Sequence, residues 1–363
     1  MDQRNYPANY MEISTGALRD NAKTVTQAVG VPVIAVVKFD GYGVSLKAAA
    51  EAWQSAGVSM FAVSESWEAL ALRQAGFEED ILLLAPVSDP ATVQSLLENK
   101  IILTVTDLEN ARLYLESRGE KTLRVHIKVD TGMGRFGIRW TDTSQLTQIY
   151  GLEGLQIEGI FSHFAKSFEE TYKLTKVQLD RFLEAVQAVE KAGFQPGMRH
   201  IANSCAALRF PETRLDAVRV GSALVGALIA PVPVKLKPVH TCKAQVVARR
   251  ELQKGDTMGY AAVCKVKKPT TAVVVAIGQS HGFRMTGRPD PYPLRDLLVY
   301  LYHLLQGYRK QPYAKADIRH LPLIGRVGSQ YTVFDATGTD VKPGDYVTVP
   351  VSLLQYNGKR EYI

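Results

Sequence analysis

The chain has 363 residues, with 43 lysines and arginines against 36 aspartates and glutamates, so its formal net charge is +7 at pH 7. Hydrophobic residues make up 46% and charged residues 22%, which is ordinary for a globular protein. The sequence contains no apolar run long enough to predict a membrane span, and residues 1–6 lack the apolar core of a signal peptide. It also contains no nucleic-acid-binding motif. At this length we expect two domains.

The three cysteines, Cys205, Cys242 and Cys264, show no metal-ligand spacing. Their odd number favours free thiols in a reducing compartment over a disulfide framework. We therefore expect a cytoplasmic protein that holds no metal.

Up to about residue 235, short apolar runs alternate with longer amphipathic stretches, which is typical of alternating strands and helices. We expect strands at residues 33–37, 60–63, 81–84, 101–105, 123–129, 155–161, 198–202 and 215–220. This α/β pattern predicts a (β/α)8 barrel of the TIM type over residues 1–235. The alternative is an open doubly wound sheet, but no glycine-rich dinucleotide fingerprint follows the first strand.

After Pro231–Pro233 the pattern changes to short β-rich runs separated by Gly, Pro and Asp turns. We expect residues 236–363 to form an all-β C-terminal domain, which the short N-terminal segment could join. A helical insertion is expected near residues 290–315, with its helix at Leu294–Tyr308.

Lys38 ends the apolar run Val31–Val37 and precedes the glycine-containing segment Phe39–Gly43. Buried strands exclude lysine because desolvating an ammonium is costly, unless the lysine is paired or serves as an amine nucleophile. A desolvated lysine loses its proton readily and forms Schiff bases with carbonyl compounds such as pyridoxal phosphate (PLP). This segment alone does not separate a reactive lysine from one that simply reaches solvent.

Polar residues recur at the ends of the predicted barrel strands, where barrel enzymes place their catalytic groups. They are Lys38, Lys128, His163, Ser204 and Arg219. Gly221 and Ser222 follow the last strand and could offer backbone N–H groups to a phosphate. Any one of these residues has an ordinary structural explanation, but five at successive strand ends favour an active site.

These segments resemble the alanine racemase family of PLP-dependent enzymes, and the resemblance runs through nearly the whole chain. The most specific match is the segment His126–Gly137, and Gly259–Tyr260 matches the family's tyrosine segment. The remaining matches are residues 36–38 with 42–43, 162–165, 202–204, 218–221 and 324–327.

The resemblance implies a PLP-dependent racemase that moves a proton between two bases on opposite faces of the substrate. Lys38 would hold PLP and serve as one base. Tyr260, supplied by the partner subunit of a homodimer, would serve as the other. Arg135 would contact the cofactor and the substrate carboxylate, and Lys128 would occupy a position that is often carbamylated.

The resemblance also implies a set of cofactor contacts. Arg219 would donate to the pyridine nitrogen, and His163 would link Arg219 to the catalytic tyrosine. The cofactor phosphate would be bound by Tyr42, Ser204, Gly221 and Ser222.

The chain departs from the family pattern around the expected substrate entrance. Gly328–Tyr331 stands where the family has Met-Asp-Gln, so Ser329 would donate its backbone N–H to the substrate carboxylate. Gly278–Gly282 replaces Gly-Tyr-Ala-Asp-Gly and lacks the tyrosine. The resemblance implies alanine as the substrate. Because the entrance differs from the family pattern, serine or another amino acid is an alternative.

Two other functions remain open at this point. A PLP-dependent decarboxylase on a related barrel commonly has a glutamate at the pyridine nitrogen, where this chain has Arg219. A non-catalytic PLP-binding protein would lack the β domain that carries Tyr260.

Overall fold

The computed structural model describes residues 7–169, 171–228, 230–285, 301–302 and 312–363. The chain forms two compact units, one of Thr15–Val239 and one that combines the N-terminal residues to Ser14 with His240–Ile363. Among the described residues, no helix has both the length and the apolar character needed to cross a bilayer.

The strands of the described residues are β1 (Asn9–Ile13), β2 (Val33–Val36), β3 (Met60–Val63), β4 (Asp80–Leu83), β5 (Leu103–Val105), β6 (Leu123–Asp130), β7 (Ile138–Arg139), β8 (Leu155–Phe161), β9 (Met198–His200), β10 (Val218–Val220), β11 (His240–Leu252), β12 (Thr257–Met258), β13 (Cys264–Lys265), β14 (Thr270–Val275), β15 (Tyr313–Ala316), β16 (Arg319–Ile324), β17 (Thr332–Asp335), β18 (Tyr346–Val349) and β19 (Lys359–Tyr362).

The helices are α1 (Thr15–Val29), α2 (Phe39–Tyr42, a single turn), α3 (Leu46–Gln54), α4 (Ser66–Gln74), α5 (Pro90–Glu98), α6 (Leu108–Ser117), α7 (Thr143–Tyr150), α8 (Lys173–Lys191) and α9 (Ser204–Arg209).

The unit of residues 15–239 is a closed parallel barrel. One group of strands has the order β10-β2-β3-β4, and the other has the order β5-β6-β8-β9. Parallel bridges between Leu82 and Ile102 and between His200 and Ala217 join the two groups into a ring. The expected (β/α)8 barrel is therefore confirmed, and the open sheet is excluded.

One part of the barrel interior is packed with apolar side chains, as the hydrophobic runs of its strands require. Strand β2 is buried at every position, because a parallel strand in a barrel has side chains packed on both faces. The interior cluster is formed by Ile34, Val36, Ala62, Leu82, Ile102 and Ala217.

The second unit is built on a β-sheet, as expected for an all-β domain. Its strand order is β14-β17-β16-β15-β18-β11-β1-β19, and the long strand β11 also pairs with β14. Strand β1 contributes the N-terminal residues, pairing antiparallel with β11 and parallel with β19. The predicted helix Leu294–Tyr308 lies outside the described residues except for residues 301–302.

We expect Leu82→Ala to lower the free energy of unfolding by about 2–5 kcal/mol, because Leu82 is fully buried in the barrel interior and its truncation leaves a cavity. Leu174→Ala on α8 is the matched control, since that side chain is 38% exposed and should cost less than about 1 kcal/mol. Urea unfolding would measure both. Equal losses for the two variants would contradict the assigned interior.

Candidate active site

The predicted site residues of the first unit lie at the carboxyl ends of the barrel strands. Lys38 follows β2 and Gly221 follows β10, and these two strands pair directly. His163 follows β8, and Ser204 is the first residue of the helix that follows β9. Strands β8 and β9 pair with each other. Lys128 lies near the end of β6, opposite Phe161 of β8. The barrel thus brings these five residues to one end.

The chain immediately after Lys38 forms a left-handed helical turn, which the sequence analysis did not predict. The φ angles are 54° at Phe39, 50° at Asp40, 65° at Gly41, 57° at Tyr42 and 84° at Gly43. Backbone N–H groups of Tyr42 and Gly43 donate to the carbonyls four residues earlier, at 2.8 and 2.9 Å. Left-handed helical geometry costs roughly 1–2 kcal/mol for each residue that has a side chain.

Two carboxylates bind backbone N–H groups around this turn. Glu68 Oε1 accepts from the N–H of Phe39 at 2.8 Å, while Oε2 accepts from Ser64 and Glu65 at 2.9 and 3.0 Å. The side chain of Glu68 is buried. Asp40 Oδ1 accepts from the N–H of Leu46 at 2.8 Å, where α3 begins. These bonds fix both ends of the turn that follows Lys38.

Lys38 itself is partly buried, as its position at a strand end predicts. Burial lowers the pKa of its amine, the positive charge of Arg135 lowers the pKa further, and the Glu68 carboxylate opposes both effects. The amine lies 5.1 Å from the centre of the Phe39 ring. Lys38 is therefore more readily deprotonated than a surface lysine, which suits an amine nucleophile or a base.

The ends of β9 and β10 form a cradle with the turn after β2. A Cβ atom placed on Gly221 would lie 2.2 Å from Tyr42 Oη, so the tyrosine packs directly against the glycine backbone. Ser204 Oγ accepts from the N–H groups of Gly221 and Ala223 at 3.2 and 3.3 Å. Two hydroxyls and a glycine backbone, with Ser222 next in the chain, fit the donor set that a phosphate requires.

Arg219 is buried in the barrel without a carboxylate among its hydrogen-bond partners. Its guanidinium donates to the carbonyls of Ser162 and His200 at 2.5 and 3.0 Å, and it contacts His163 Nδ1 at 3.3 Å. Burial lowers the pKa of Arg219 to about 9. Because this value is still above neutral pH, Arg219 remains positively charged. No anionic side chain in this set of contacts balances that charge.

A buried histidine pair extends this network away from the strand ends. Arg219 Nη1 donates to His200 Nδ1 at 2.7 Å, and His200 Nε2 lies 2.8 Å from His126 Nδ1. Burial, followed by the charge of Arg219, lowers the pKa of His126 to about 3 and that of His200 well below its ordinary value. Because both rings are neutral, the network assigns the shared proton to His200 Nε2.

His163 is held neutral by the same causes, since burial and then Arg219 and Lys128 keep its pKa well below the ordinary value. Lys128 lies 4.4 Å above the Phe161 ring, and Arg219 lies 5.0 Å from that ring. Burial, Arg219 and Arg135 together lower the pKa of Lys128 to about 7, while Asp130 opposes this shift. A large fraction of Lys128 is therefore an uncharged amine near neutral pH.

Arg135 is exposed on the loop after β6. The loop is organised by Asp130, whose carboxylate accepts from the N–H groups of Gly132, Met133 and Gly134 at 2.9–3.2 Å. The positive charge of Arg135 reaches both Lys38 and Lys128, because it lowers the pKa of each.

Tyr260 and Ser329 belong to the second unit. Tyr260 begins the short turn Tyr260–Ala262, and its side chain lies outside what the structure describes. The carbonyl of Ser329 accepts from the N–H of Ser280 at 2.9 Å and from Ser280 Oγ at 2.7 Å. The two segments that depart from the family pattern therefore bind each other.

Sequence reasoning missed Glu68 and His200. Glu68 stands at the third position of α4, and an acidic residue there is a recognisable capping signal. His200 was expected only as a strand residue, and its contact with Arg219 depends on the pairing of distant segments.

The amino-acid sequence matches two family models, "Alanine racemase, N-terminal domain" over residues 13–228 and "Alanine racemase, C-terminal domain" over residues 239–353. A curated alanine racemase of Desulfovibrio desulfuricans is 30% identical over 356 residues, covering 96% of this chain and 94% of the relative. One from Desulforamulus reducens is 34% identical over 285 residues, or 76% of each chain.

Solved structures of alanine racemases are also similar to this chain. The alanine racemase of Bacillus anthracis, solved with bound L-Ala-P, superposes with a TM-score of 0.79 at 29% identity, covering 95% of this chain and 86% of that one. The enzyme from Streptomyces lavendulae gives a TM-score of 0.83 at 25% identity, with coverage of 99% and 98%. With both family models matched along the chain, this protein is a member of the alanine racemase family.

Proposed function

We propose that this protein is a PLP-dependent racemase that interconverts L- and D-alanine by a two-base mechanism. The observation that carries the proposal is the arrangement at the end of the barrel: Lys38, whose pKa is lowered, stands one residue before a fixed turn whose Tyr42 packs on the Gly221 cradle. An amine suited to covalent attachment and a phosphate-binding cradle are the two features that PLP requires.

Each part of the cofactor has a group that would hold it. The Lys38 amine would take the carbonyl carbon, and the phosphate would be held by Tyr42, Ser204, Gly221 and Ser222. Arg219 would face the pyridine nitrogen. When bound, PLP draws electrons from the Cα of an attached amino acid and so makes its hydrogen acidic.

Arg219 would make this electron withdrawal moderate. A guanidinium retains its protons and donates a hydrogen bond, so the ring nitrogen facing it stays unprotonated. The neighbours of Arg219 strengthen this expectation, because His200 and His163 are held neutral and have no acidic proton to pass on. A weaker electron sink disfavours side reactions such as transamination.

Proton transfer on the two faces of Cα would be divided between two bases. Lys38 would serve one face, and Tyr260 of the partner subunit would serve the other, which makes the active form a homodimer. His163 would connect Arg219 to that tyrosine. Arg135 and the backbone N–H of Ser329 would bind the substrate carboxylate.

The three cysteines are unpaired, which supports a cytoplasmic location.

Alanine is the proposed substrate because it is the substrate in the names of the relatives. The segments Gly278–Gly282 and Gly328–Tyr331 differ from the family pattern and bind each other through Ser280 and Ser329. Since these segments would form the entrance, acceptance of serine as a second substrate is included in the proposal.

Lys128 is proposed to carry a carbamate. Its uncharged amine would attack the carbon of CO2 and release one N–H proton to solvent, which converts a neutral amine into an anion. The new charge would lie near the cations Arg219 and Arg135, which already lower the pKa of Lys128. The carbamate would then orient Arg135.

Purified protein mixed with PLP should develop the absorbance band of a lysine-bound PLP, because the Lys38 amine attaches to the carbonyl carbon. Lys38→Ala should not form this band. Lys47→Ala, which removes a lysine that is 64% exposed, should form it as the wild type does. Absence of the band in the wild type after PLP addition would refute the proposed cofactor.

Tyr260→Phe should greatly slow deuterium entry at Cα of L-alanine in D2O, because the hydroxyl that moves the proton on that face is gone. Exchange into D-alanine, which depends on Lys38, should persist. Proton NMR would follow both enantiomers, with Tyr313→Phe as a control elsewhere in the same unit. Unchanged exchange into L-alanine would contradict the role of Tyr260.

A 13C carbamate signal should appear in protein supplied with labelled bicarbonate and should be absent in Lys128→Met. The signal should grow as the pH rises through about 7, because the uncharged amine reacts and its pKa is near that value. NMR at several pH values would detect it. No difference between the wild type and Lys128→Met would rule out the carbamate.

A further inference from the structure

The left-handed turn after Lys38 is strained, and its conformation is not one that its sequence favours. Phe39, Asp40 and Tyr42 have side chains and yet adopt φ angles of 54°, 50° and 57°. Each such residue lowers the equilibrium population of the left-handed turn by a factor of about 5 to 30, compared with a glycine at the same position. The turn therefore persists only if its surroundings hold it.

Glu68 provides one such restraint from a different part of the barrel. Its carboxylate joins the N–H of Phe39, the first residue of the turn, to the N–H groups of Ser64 and Glu65 in the loop between β3 and α4. The side chain is only 1% exposed, so these bonds are shielded from competing water. A carboxylate that accepts from three backbone N–H groups forms strong, charge-assisted bonds.

This left-handed turn fixes the position of the Lys38 backbone and of the Tyr42 side chain. Its first N–H follows Lys38 directly, the carbonyl of Lys38 accepts the N–H of Tyr42 at 2.8 Å, and the Tyr42 ring packs against Gly221. A change in the hand of the turn would therefore move both the lysine backbone and the tyrosine of the cradle.

We infer that Glu68 is a positioning residue of the proposed active site, whose carboxylate keeps the turn left-handed and so keeps Lys38 and Tyr42 in place for the cofactor. This inference rests on the proposed function. Glu68 also caps α4 through Ser64 and Glu65, so a merely local, helix-capping role is the explanation that the experiment must separate from it.

The first comparison uses Glu68→Gln, which keeps the size of the side chain but turns an NH2 group toward backbone N–H groups. The matched control is Asp107→Asn, the same change of a carboxylate at the N-terminus of α6, where Asp107 accepts from Asn110 at 2.7 Å. The readout is the affinity of the apoprotein for PLP, followed by the absorbance of the bound form and by borohydride trapping mapped to Lys38. We expect Glu68→Gln to weaken binding by about tenfold or more, and Asp107→Asn to leave it within about twofold.

The second comparison separates positioning from helix capping. Phe39→Gly and Phe39→Ala both remove the ring, but only glycine removes the strain of a positive φ angle. In the Glu68→Gln background, Phe39→Gly should recover at least about fivefold in PLP affinity over Phe39→Ala. A helix-capping role predicts no difference, because neither change touches α4.

The outcomes are distinguishable. If the wild type binds no PLP at Lys38, the proposed function fails. If the wild type binds PLP and Glu68→Gln binds it equally well, or if glycine and alanine at residue 39 behave alike, the inference on Glu68 is overturned. Should Glu68→Gln not fold, the Phe39 pair in the wild-type background decides: glycine should give the higher unfolding temperature and the tighter PLP binding, and the reverse order would overturn the inference.

Discussion

The pairing of β2 with β10 is the constraint on which the proposed site depends. It closes the ring of parallel strands and places the carboxyl end of β2 beside the carboxyl end of β10, although about 180 residues separate the two strands in the chain. Lys38, two residues beyond the end of β2, and Gly221, directly after β10, reach the same end of the barrel through this pairing. The adjacent strands then add Ser204 and His163 at the same end. A barrel that failed to close would keep every one of these residues and lose the site.

The site that results is strongly cationic and poor in acidic groups. Burial lowers the pKa of both lysines, and neighbouring arginines lower it further: Arg135 acts on Lys38, and Arg219 and Arg135 act on Lys128. The imidazoles that contact Arg219 are neutral and add no negative charge. Such a field attracts anions, and a cofactor phosphate and a substrate carboxylate are the anions that the proposed reaction brings. The same field is the physical reason to expect a carbamate on Lys128.

Much of this site could be predicted from the sequence, because strand ends in a parallel barrel converge wherever the strands begin. Lys38, Lys128, His163, Ser204 and Arg219 were located in this way, and the barrel itself followed from alternating apolar runs. The left-handed turn could not be predicted, since Phe39 and Tyr42 have no local preference for positive φ angles. Glu68 and His200 act through contacts between distant segments. Tyr260 lies in the other unit, so its part in the site remains a prediction from the family resemblance.

The central claim is tested most directly by incubating the purified, PLP-loaded protein with L-alanine or with D-alanine and separating the enantiomers by chiral chromatography. A racemase must bring both solutions to the same equal mixture, because the two enantiomers have equal free energy in water. A parallel screen of other L-amino acids, serine first, defines the range of the altered entrance. Conversion of no amino acid to its enantiomer, or release of CO2 and an amine instead, would contradict the account.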